Sequence, residues 1–288
     1  MEKILQSENK PNILVIGDLM VDQYLWGTCN RVAPDAPVPV VDVKEETKVL
    51  GGAGNVINNL VALGANVGIL SVVGDDEVAE ELKYLIDSTE TKSYLIEQKG
   101  RATSKKTKIM SGKTQMFRYD HESKNNISFD ASKKLYAKFQ QIINAYDTIL
   151  FSDYKKGVLT KPLIKDIIKH ANRVGKKVLV DPRGTNYSKY KGSYLIVPNK
   201  KEAQAATEIE INSDDSLKLA LEELQNIAKT DRAIITLSEK GIAFLRDGEV
   251  IVKPTIAQDV FDITGSSDIV LASLGYALSI DERLESAV

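Results

Sequence analysis

Residues 148–182 read Thr-Ile-Leu-Phe-Ser-Asp-Tyr-Lys-Lys-Gly-Val-Leu-Thr-Lys-Pro-Leu-Ile-Lys-Asp-Ile-Ile-Lys-His-Ala-Asn-Arg-Val-Gly-Lys-Lys-Val-Leu-Val-Asp-Pro. The apolar run Thr148–Phe151 predicts a buried strand that ends at Ser152-Asp153. Lys161–Val174 carries helical periodicity, and Lys177–Val180 predicts a second strand ending at Asp181-Pro182. Two short apolar strands joined by one helix form a parallel unit, because a parallel pair needs a crossover.

The alternation continues in both directions. Toward the C-terminus come a strand at Tyr194–Val197 ending in Pro198-Asn199, a helix at Ser216–Ala228 and a strand at Ala233–Leu237 ending in Ser238. A late hairpin over Phe244–Val252 turns at Asp247-Gly248. Toward the N-terminus come a helix at Lys133–Ala145, a helix at Asp75–Ile86, and strands at Asn66–Val73 and Asn12–Gly17. The expected fold is α/β, a mostly parallel central sheet with helices on both faces. Ligands of such sheets gather at the carboxyl ends of the strands. Two stretches break the pattern. Tyr24–Glu45 is extended, with Pro34, Pro37 and Pro39 arguing against helix, and its Trp26 is expected in the core. Lys105–Met110 and Thr114–Tyr119 form a hairpin around Ser111-Gly112.

The chain has 288 residues, 43% hydrophobic and 27% charged, with net charge −2. That is the profile of one large globular domain and gives no case for a general nucleic-acid or membrane binder. The single cysteine, Cys29, excludes an intrachain disulfide and suits a reducing cytosol. With only His121 and His170 beside it, no Cys/His zinc cluster forms. Met1–Lys10 lacks an apolar signal core, and no apolar run approaches membrane-spanning length. A cytoplasmic location is expected.

Candidate chemistry lies in a few places. Asp259–Ser273 reads Asp-Val-Phe-Asp-Ile-Thr-Gly-Ser-Ser-Asp-Ile-Val-Leu-Ala-Ser. The turn Thr264–Ser267 leads into an apolar segment predicted as helix. A helix start presents unpaired N–H groups and a positive dipole end, which attract phosphate. Asp268 in the first turn could take a proton from an attacking hydroxyl; an ordinary capped helix reads the same way. Leu50-Gly51-Gly52-Ala53-Gly54-Asn55 opens another expected helix, either as a tight loop or as a close approach to a ligand. Asp18 and Asp22 follow the first strand and either bind a polar ligand or shape a turn. Lys105, Lys106, Lys108, Lys113 and Arg118 make the hairpin basic, as a solvated face or as an anion-contacting cover.

Taken together, several segments resemble the ribokinase-like (PfkB) family of carbohydrate kinases. Asp262-Ile-Thr-Gly-Ser-Ser-Asp268 resembles its Asp-Thr-x-Gly-Ala-Gly-Asp signature, and Gly51–Asn55 its N-terminal Gly-Gly signature. Val197–Glu202 resembles its Asn-x-x-Glu motif, and Ile235–Gly241 its nucleotide-side Thr-Leu-Gly-x-x-Gly segment. They occur in the family's order. The segments Gly17–Asp22, Arg31–Val40, Ser152–Gly157 and Asp181–Thr185 resemble the branch acting on D-glycero-β-D-manno-heptose 7-phosphate. The resemblance implies a kinase domain over residues 11–288, with a β-lid from about 23–45 and 105–120. It implies ATP and Mg²⁺ as cofactors, transfer to an anomeric hydroxyl, and a homodimer packed through the lids. It makes Asp268 the general base, with the amides of Gly265, Ser266, Ser267 and Asp268 holding the transferring phosphoryl group. Asp22, Gly52 and Asn55 would hold sugar hydroxyls. Asn199 and Glu202 would position hydrated Mg²⁺, and Asn199, Ser238 and Gly241 would lie along the nucleotide. Lys113, Arg118, Lys156 and Arg183 are candidates for the distal phosphate, each also readable as a surface charge. The alternatives are another sugar or nucleoside kinase of this fold, or a catalytically impaired sugar-phosphate-binding protein.

Two departures bear on activity. Family members run on for tens of residues after the base-bearing helix, so the C-terminal part of the domain is expected to be missing here. Where the signature has its second glycine, this chain has Ser267. A Cβ there would crowd the γ-phosphate or strain a glycine-only backbone angle by roughly 1–2 kcal/mol. Ser266→Ala with Ser267→Gly restores the usual signature and is expected to raise kcat; an unchanged rate in a coupled ADP-release assay removes the concern.

Overall fold

The computed structural model describes residues 10–255 and 265–280. The chain runs β1 (Asn12–Gly17), β2 (Leu19–Val32), β3 (Pro39–Gly52), α1 (Ala53–Ala62), β4 (Asn66–Val73), α2 (Glu77–Asp87), β5 (Lys92–Glu97), β6 (Ser104–Ser111) and β7 (Thr114–His121). It continues through α3 (Phe129–Ile142), β8 (Thr148–Ser152), α4 (Lys161–Arg173), β9 (Lys177–Asp181), β10 (Leu195–Ile196), α5 (Lys200–Thr207), α6 (Asp214–Ala228), β11 (Arg232–Thr236), β12 (Ile242–Arg246), β13 (Glu249–Lys253) and α7 (Ser266–Ser279).

Nine strands form the central sheet in the order β13-β12-β11-β10-β9-β8-β1-β4-β5. All neighbours are parallel except the β11-β12 and β12-β13 pairs. β1 lies inside because both of its faces are apolar. Ile13 and Val15 pack with α1, α2 and α7, while Leu14 and Ile16 pack with α3, α4 and α6. From β1 the chain builds outward through β4 and β5, then returns to β8 on the other side and builds the opposite way. That reversal between β1 and β8 opens a crevice at their carboxyl ends, the place where doubly wound sheets bind ligands.

A second sheet of four strands, β3-β2-β6-β7, is the expected lid, wider than the sequence suggests. β2 and β3 pair from Leu19↔Gly52 to Val32↔Pro39, so the ribbon reaches well beyond residues 23–45. Gly51 and Gly52 finish β3 rather than opening α1, because they stay in register with β2. Trp26 lies in this lid, half-buried and stacked on Tyr24, not in the core; its Nε1 donates to Thr47 Oγ1 at 2.9 Å. β5 and α5 carry no clear sequence signal. β5 is an edge strand without clean alternation, and α5 buries only Ala203.

α7 is buried almost all round, through Leu271, Ala272, Leu274, Tyr276, Ala277 and Leu278. It comes close to β8 at Gly275, where an added Cβ would stand 2.8 Å from both methyls of the fully buried Leu150. Interiors this dense have no room to give. Gly275→Val is therefore expected to cost about 1–3 kcal/mol by overpacking, read as a lower midpoint in urea unfolding.

Candidate active site

Everything at the crevice starts from Asp18, which follows β1 and is 1% exposed. Its Oδ2 accepts the backbone N–H groups of Tyr154 at 2.8 Å and Lys156 at 3.0 Å, and its Oδ1 that of Val158 at 3.1 Å. One buried carboxylate thus organises the loop after β8. Burial pushes its pKa up, Asp153 adds to that, and the three amides pull it down. Buried Arg101 braces the same loop by donating to Asn125 O at 3.0 Å and to Lys156 O. Asp153 holds the loop's other side, accepting from Lys155 N at 2.8 Å, Lys189 Nζ at 2.6 Å and Tyr190 Oη at 2.7 Å.

Asp268 is the third residue of α7 and 1% exposed. Asn55, on α1, donates from Nδ2 to Asp268 Oδ2 at 2.9 Å. The Tyr154 hydroxyl straddles the carboxylate, 2.8 Å from Oδ1 and 2.9 Å from Oδ2. Burial raises the Asp268 pKa, Asn55, Tyr154 and Arg183 pull it down, and Asp22 pushes it up. Among the described residues no side chain caps α7, and Gly265 before it has φ 82°. A Cβ at Gly265 would collide with Asn55 Nδ2, so this position takes glycine for both backbone and space. Ser267, by contrast, has ordinary helical backbone. The glycine-only angle expected at that position does not exist, because the left-handed residue of the motif is Gly265. Asp262–Thr264 of the signature lie outside the described residues.

On the far side of Asp268, Arg183 forms an ion pair with Glu202, and its guanidinium lies 4.9 Å from the Tyr154 ring centre. Burial opposes the charge on Arg183, but Asp181 and Glu202 outweigh it and hold its pKa up. Asp181 ends β9, fully buried, with neither carboxylate oxygen hydrogen-bonded among the described residues. Burial pushes its pKa up to about 8; Arg183 opposes this, and Asp268 and Glu202 add to it. The Ser267 hydroxyl faces Asp181 and lowers its pKa without closing a hydrogen bond.

Asn199 and Glu202 sit at the start of α5 as a capping box. Asn199 N donates to Glu202 Oε2 and Glu202 N to Asn199 Oδ1, both at 3.0 Å. The same carboxylate therefore holds its own helix end and Arg183. Among the described residues, no three His, Cys, Asp or Glu side chains cluster to hold a metal directly. A bridge from Asn199 to Thr236 brings the end of β11 alongside, where Ser238 and Gly241 form a tight turn with Gly241 N donating to Ser238 O at 3.0 Å.

Asp22 projects from β2, half-buried. Burial raises its pKa, and Lys108, Lys106 and Arg118 lower it, so these three lid cations face it. Of the four cations singled out for a distal phosphate, three are paired internally. Arg118 bonds Asp120 at 2.8 Å, Lys156 bonds Glu122 at 2.5 Å, and Arg183 pairs with Glu202. Lys113 lies exposed at the β6–β7 turn. Lys106, bonded to Asp120 at 2.9 Å and Glu122 at 3.3 Å, belongs with this group, although the sequence shows it only as part of a basic run. Tyr154 and Asp181 also escape sequence reasoning. A tyrosine after a strand and an aspartate before a proline carry no signal of what they will face.

A doubly wound sheet with a four-stranded lid, and a carboxylate at an uncapped helix start beside the switch point, form a phosphotransfer architecture. The family model for pfkB family carbohydrate kinases matches residues 10–288, and the chain belongs to that family. Its curated relatives include the Bifunctional protein HldE of Aliarcobacter butzleri (strain RM4018), 51% identical over 97% of this chain and 59% of that protein. Another is the Bifunctional protein HldE of Sulfurimonas denitrificans (strain ATCC 33889 / DSM 1251), 48% identical over 99% of this chain and 60% of that protein. The chain thus spans about three fifths of the length of these relatives. Among solved structures, the tetrameric inhibited form of phosphofructokinase-2 from Escherichia coli shares the fold at TM-score 0.80 and 17% identity, covering 97% of this chain and 91% of that one. Arabidopsis thaliana ribokinase complexed with ribose and ATP does so at TM-score 0.72 and 16% identity, covering 97% and 89%.

The orphaned Asp181 has a consequence for stability. Its folded pKa of about 8 stands above the ordinary 3.8, so the folded state binds a proton that the unfolded chain has released. Stability is lost as pH rises through that interval. Asp181→Asn is expected to melt at a progressively higher temperature than the parent between about pH 5 and pH 9, measured by thermal unfolding without ligands.

Proposed function

We propose that this chain transfers the γ-phosphoryl group of ATP to the anomeric hydroxyl of D-glycero-β-D-manno-heptose 7-phosphate, giving the 1,7-bisphosphate for ADP-heptose and lipopolysaccharide synthesis. One observation carries the chemistry. Asp268 is buried at the uncapped start of α7, oriented by Asn55 and Tyr154, at the crevice where β1 and β8 diverge. The narrower substrate rests on the segments Gly17–Asp22, Arg31–Val40, Ser152–Gly157 and Asp181–Thr185, and on relatives carrying the name Bifunctional protein HldE.

In this reading Asp268 accepts the proton of the anomeric hydroxyl as that oxygen attacks. An anomeric hydroxyl is more acidic than an ordinary alcohol, which eases the transfer. Asp22 and Asn55, with the backbone at Gly52, orient the sugar. The amides of Gly265–Asp268 face the charge that develops on the transferring group. Arg118 and Lys156, together with Lys106, hold the distal phosphate by exchanging their present carboxylate partners for its oxygens. Lys113 reaches it only as the lid closes, and Arg183 is the nearest cation to Asp268 from the β9 side. Ser238 and Gly241 line the nucleotide side with Asn199.

The donor set fits Mg²⁺ held through water rather than directly. Asn199 Oδ1 and both Glu202 oxygens already accept from their own helix start and from Arg183, so these side chains would meet the ion through its waters. Mg²⁺ keeps several waters in such sites, and bound there it would neutralise charge on the ATP phosphates. The lid excludes water from the reacting groups. Exposed apolar side chains on the lid, among them Val32, Val43, Phe117 and Tyr119, support a homodimer through that surface. No helix among the described residues is long and apolar enough to cross a membrane.

ADP release with Mg-ATP is expected for the heptose 7-phosphate and not for ribose or fructose 6-phosphate. Release with either control but not the heptose overturns the substrate. Asp268→Asn is expected to lower kcat by at least about 100-fold. Because burial raises the Asp268 pKa, kcat/KM should fall on acidification at a pH above the ordinary aspartate value of 3.8.

A further inference from the structure

The Tyr154 hydroxyl is the one group among the described residues that touches both oxygens of Asp268, at 2.8 and 2.9 Å. A general base needs a free lone pair, a fixed direction and a negative charge at working pH. Burial works against the charge, since desolvation disfavours the ionised carboxylate. Donors facing the carboxylate and the charge of Arg183 offset that, and among the described residues the side-chain donors in contact are Asn55 and Tyr154.

Nothing about Tyr154 is loosely held. Its backbone N–H is fixed by Asp18, its ring lies beneath the Arg183 guanidinium, and the following residues are tied to Asp18 by two more amides. Lys155, the next residue, is in the left-handed region at φ 56°. Strain at a single non-glycine residue persists only where its surroundings over-determine it. The loop is therefore shaped to present one hydroxyl to one carboxylate. Burial raises the Tyr154 pKa well above that of free tyrosine, and Asp268 and Asp181 raise it further, so the hydroxyl stays a donor.

We propose that Tyr154 is a positioning residue for the base, its hydroxyl bridging both Asp268 oxygens to fix the carboxylate's direction and keep it ionised in a desolvated site. Among the described residues Asn55 bonds only Oδ2 and Oδ1 accepts only from Tyr154, which leaves a lone pair there for the acceptor hydroxyl to approach. The inference rests on the kinase reading for its catalytic meaning, but the bridge itself can be tested without turnover. The other charged groups facing Asp268 are Arg183 and Asp181 from the β9 side and Asp22 from the lid, and Tyr154→Phe keeps all three side chains in the protein.

Tyr154→Phe keeps the ring and its stacking and deletes only the hydroxyl. The Asp268 carboxyl carbon is followed by ¹³C NMR against pH, assigned by its absence in Asp268→Asn, in parent and variant, with thermal melting to show that both are folded. The expected result is a higher Asp268 titration midpoint in the variant. With heptose 7-phosphate, the acid limb of kcat/KM moves up by the same amount, and every whole pH step it moves costs the variant about tenfold more activity on the acid side. An unmoved NMR midpoint overturns the inference, whatever the rate. A uniform fall in kcat at every pH with an unmoved limb likewise reduces Tyr154 to a packing residue. A moved midpoint in a chain that releases no ADP with any sugar keeps the bridge and rejects the kinase reading instead.

Discussion

The structure depends on a carboxylate that never meets solvent. Asp18 stands where β1 ends and accepts the backbone amides of Tyr154, Lys156 and Val158 across the switch point. Backbone N–H groups in a buried loop need acceptors, and here one side chain serves all three. Its Cα position is set by β1, a fully enclosed strand of the sheet, so the loop inherits the rigidity of the core. Replacing that anchor with a surface turn would leave the same residues in the chain but no fixed place for Tyr154. The Asp268 carboxylate would then have one side-chain donor instead of two.

The crevice concentrates like charges at short range. Asp22, Asp181, Asp268 and Glu202 all influence one another's ionisation or that of Arg183. Arg183 is the counter-charge that makes this tolerable. It pairs with Glu202, faces Asp181 and covers the ring that supports Asp268. A half-buried guanidinium is suited to that task because it stays protonated and presents several donors at once. The carboxylates are not equivalent. Among the described residues, Asp268 has two side-chain donors that offset part of the effect of burial, while Asp181 has none and is pushed further toward the acid. Environment, not residue type, separates the two carboxylates.

On the lid side the same economy appears. Lys106, Arg118 and Lys156 are each paired with Asp120 or Glu122, so neighbouring carboxylates hold the three cations in one cluster. Lys106, Lys156 and Glu122 are largely shielded from water and Arg118 less so, so these pairs are more than loose surface charges. The lid's width follows from its pairing. β2 continues straight from the end of β1, so the sheet begins at Leu19 and brings Asp22 over the crevice.

Much of this can be read in the amino-acid order, because period and composition are local properties. The apolar runs at Asn12–Gly17, Thr148–Ser152 and Lys177–Asp181, each followed by a polar residue or ending in one, declare buried parallel strands. The glycine turn before Asp268 announces a helix start, and the ordered set of motifs declares the family. The sequence by itself determined the sheet, the lid hairpin and the candidate base. Only the tertiary structure decided what that base touches. Tyr154 and Asp268 are far apart along the chain, and their contact exists because Asp18 bends one loop while Gly275 lets α7 settle onto β8. The same holds for the orphaned Asp181 and for the pairing of Arg183 with Glu202. Burial and partnership arise only when distant segments pack, and no local pattern encodes them.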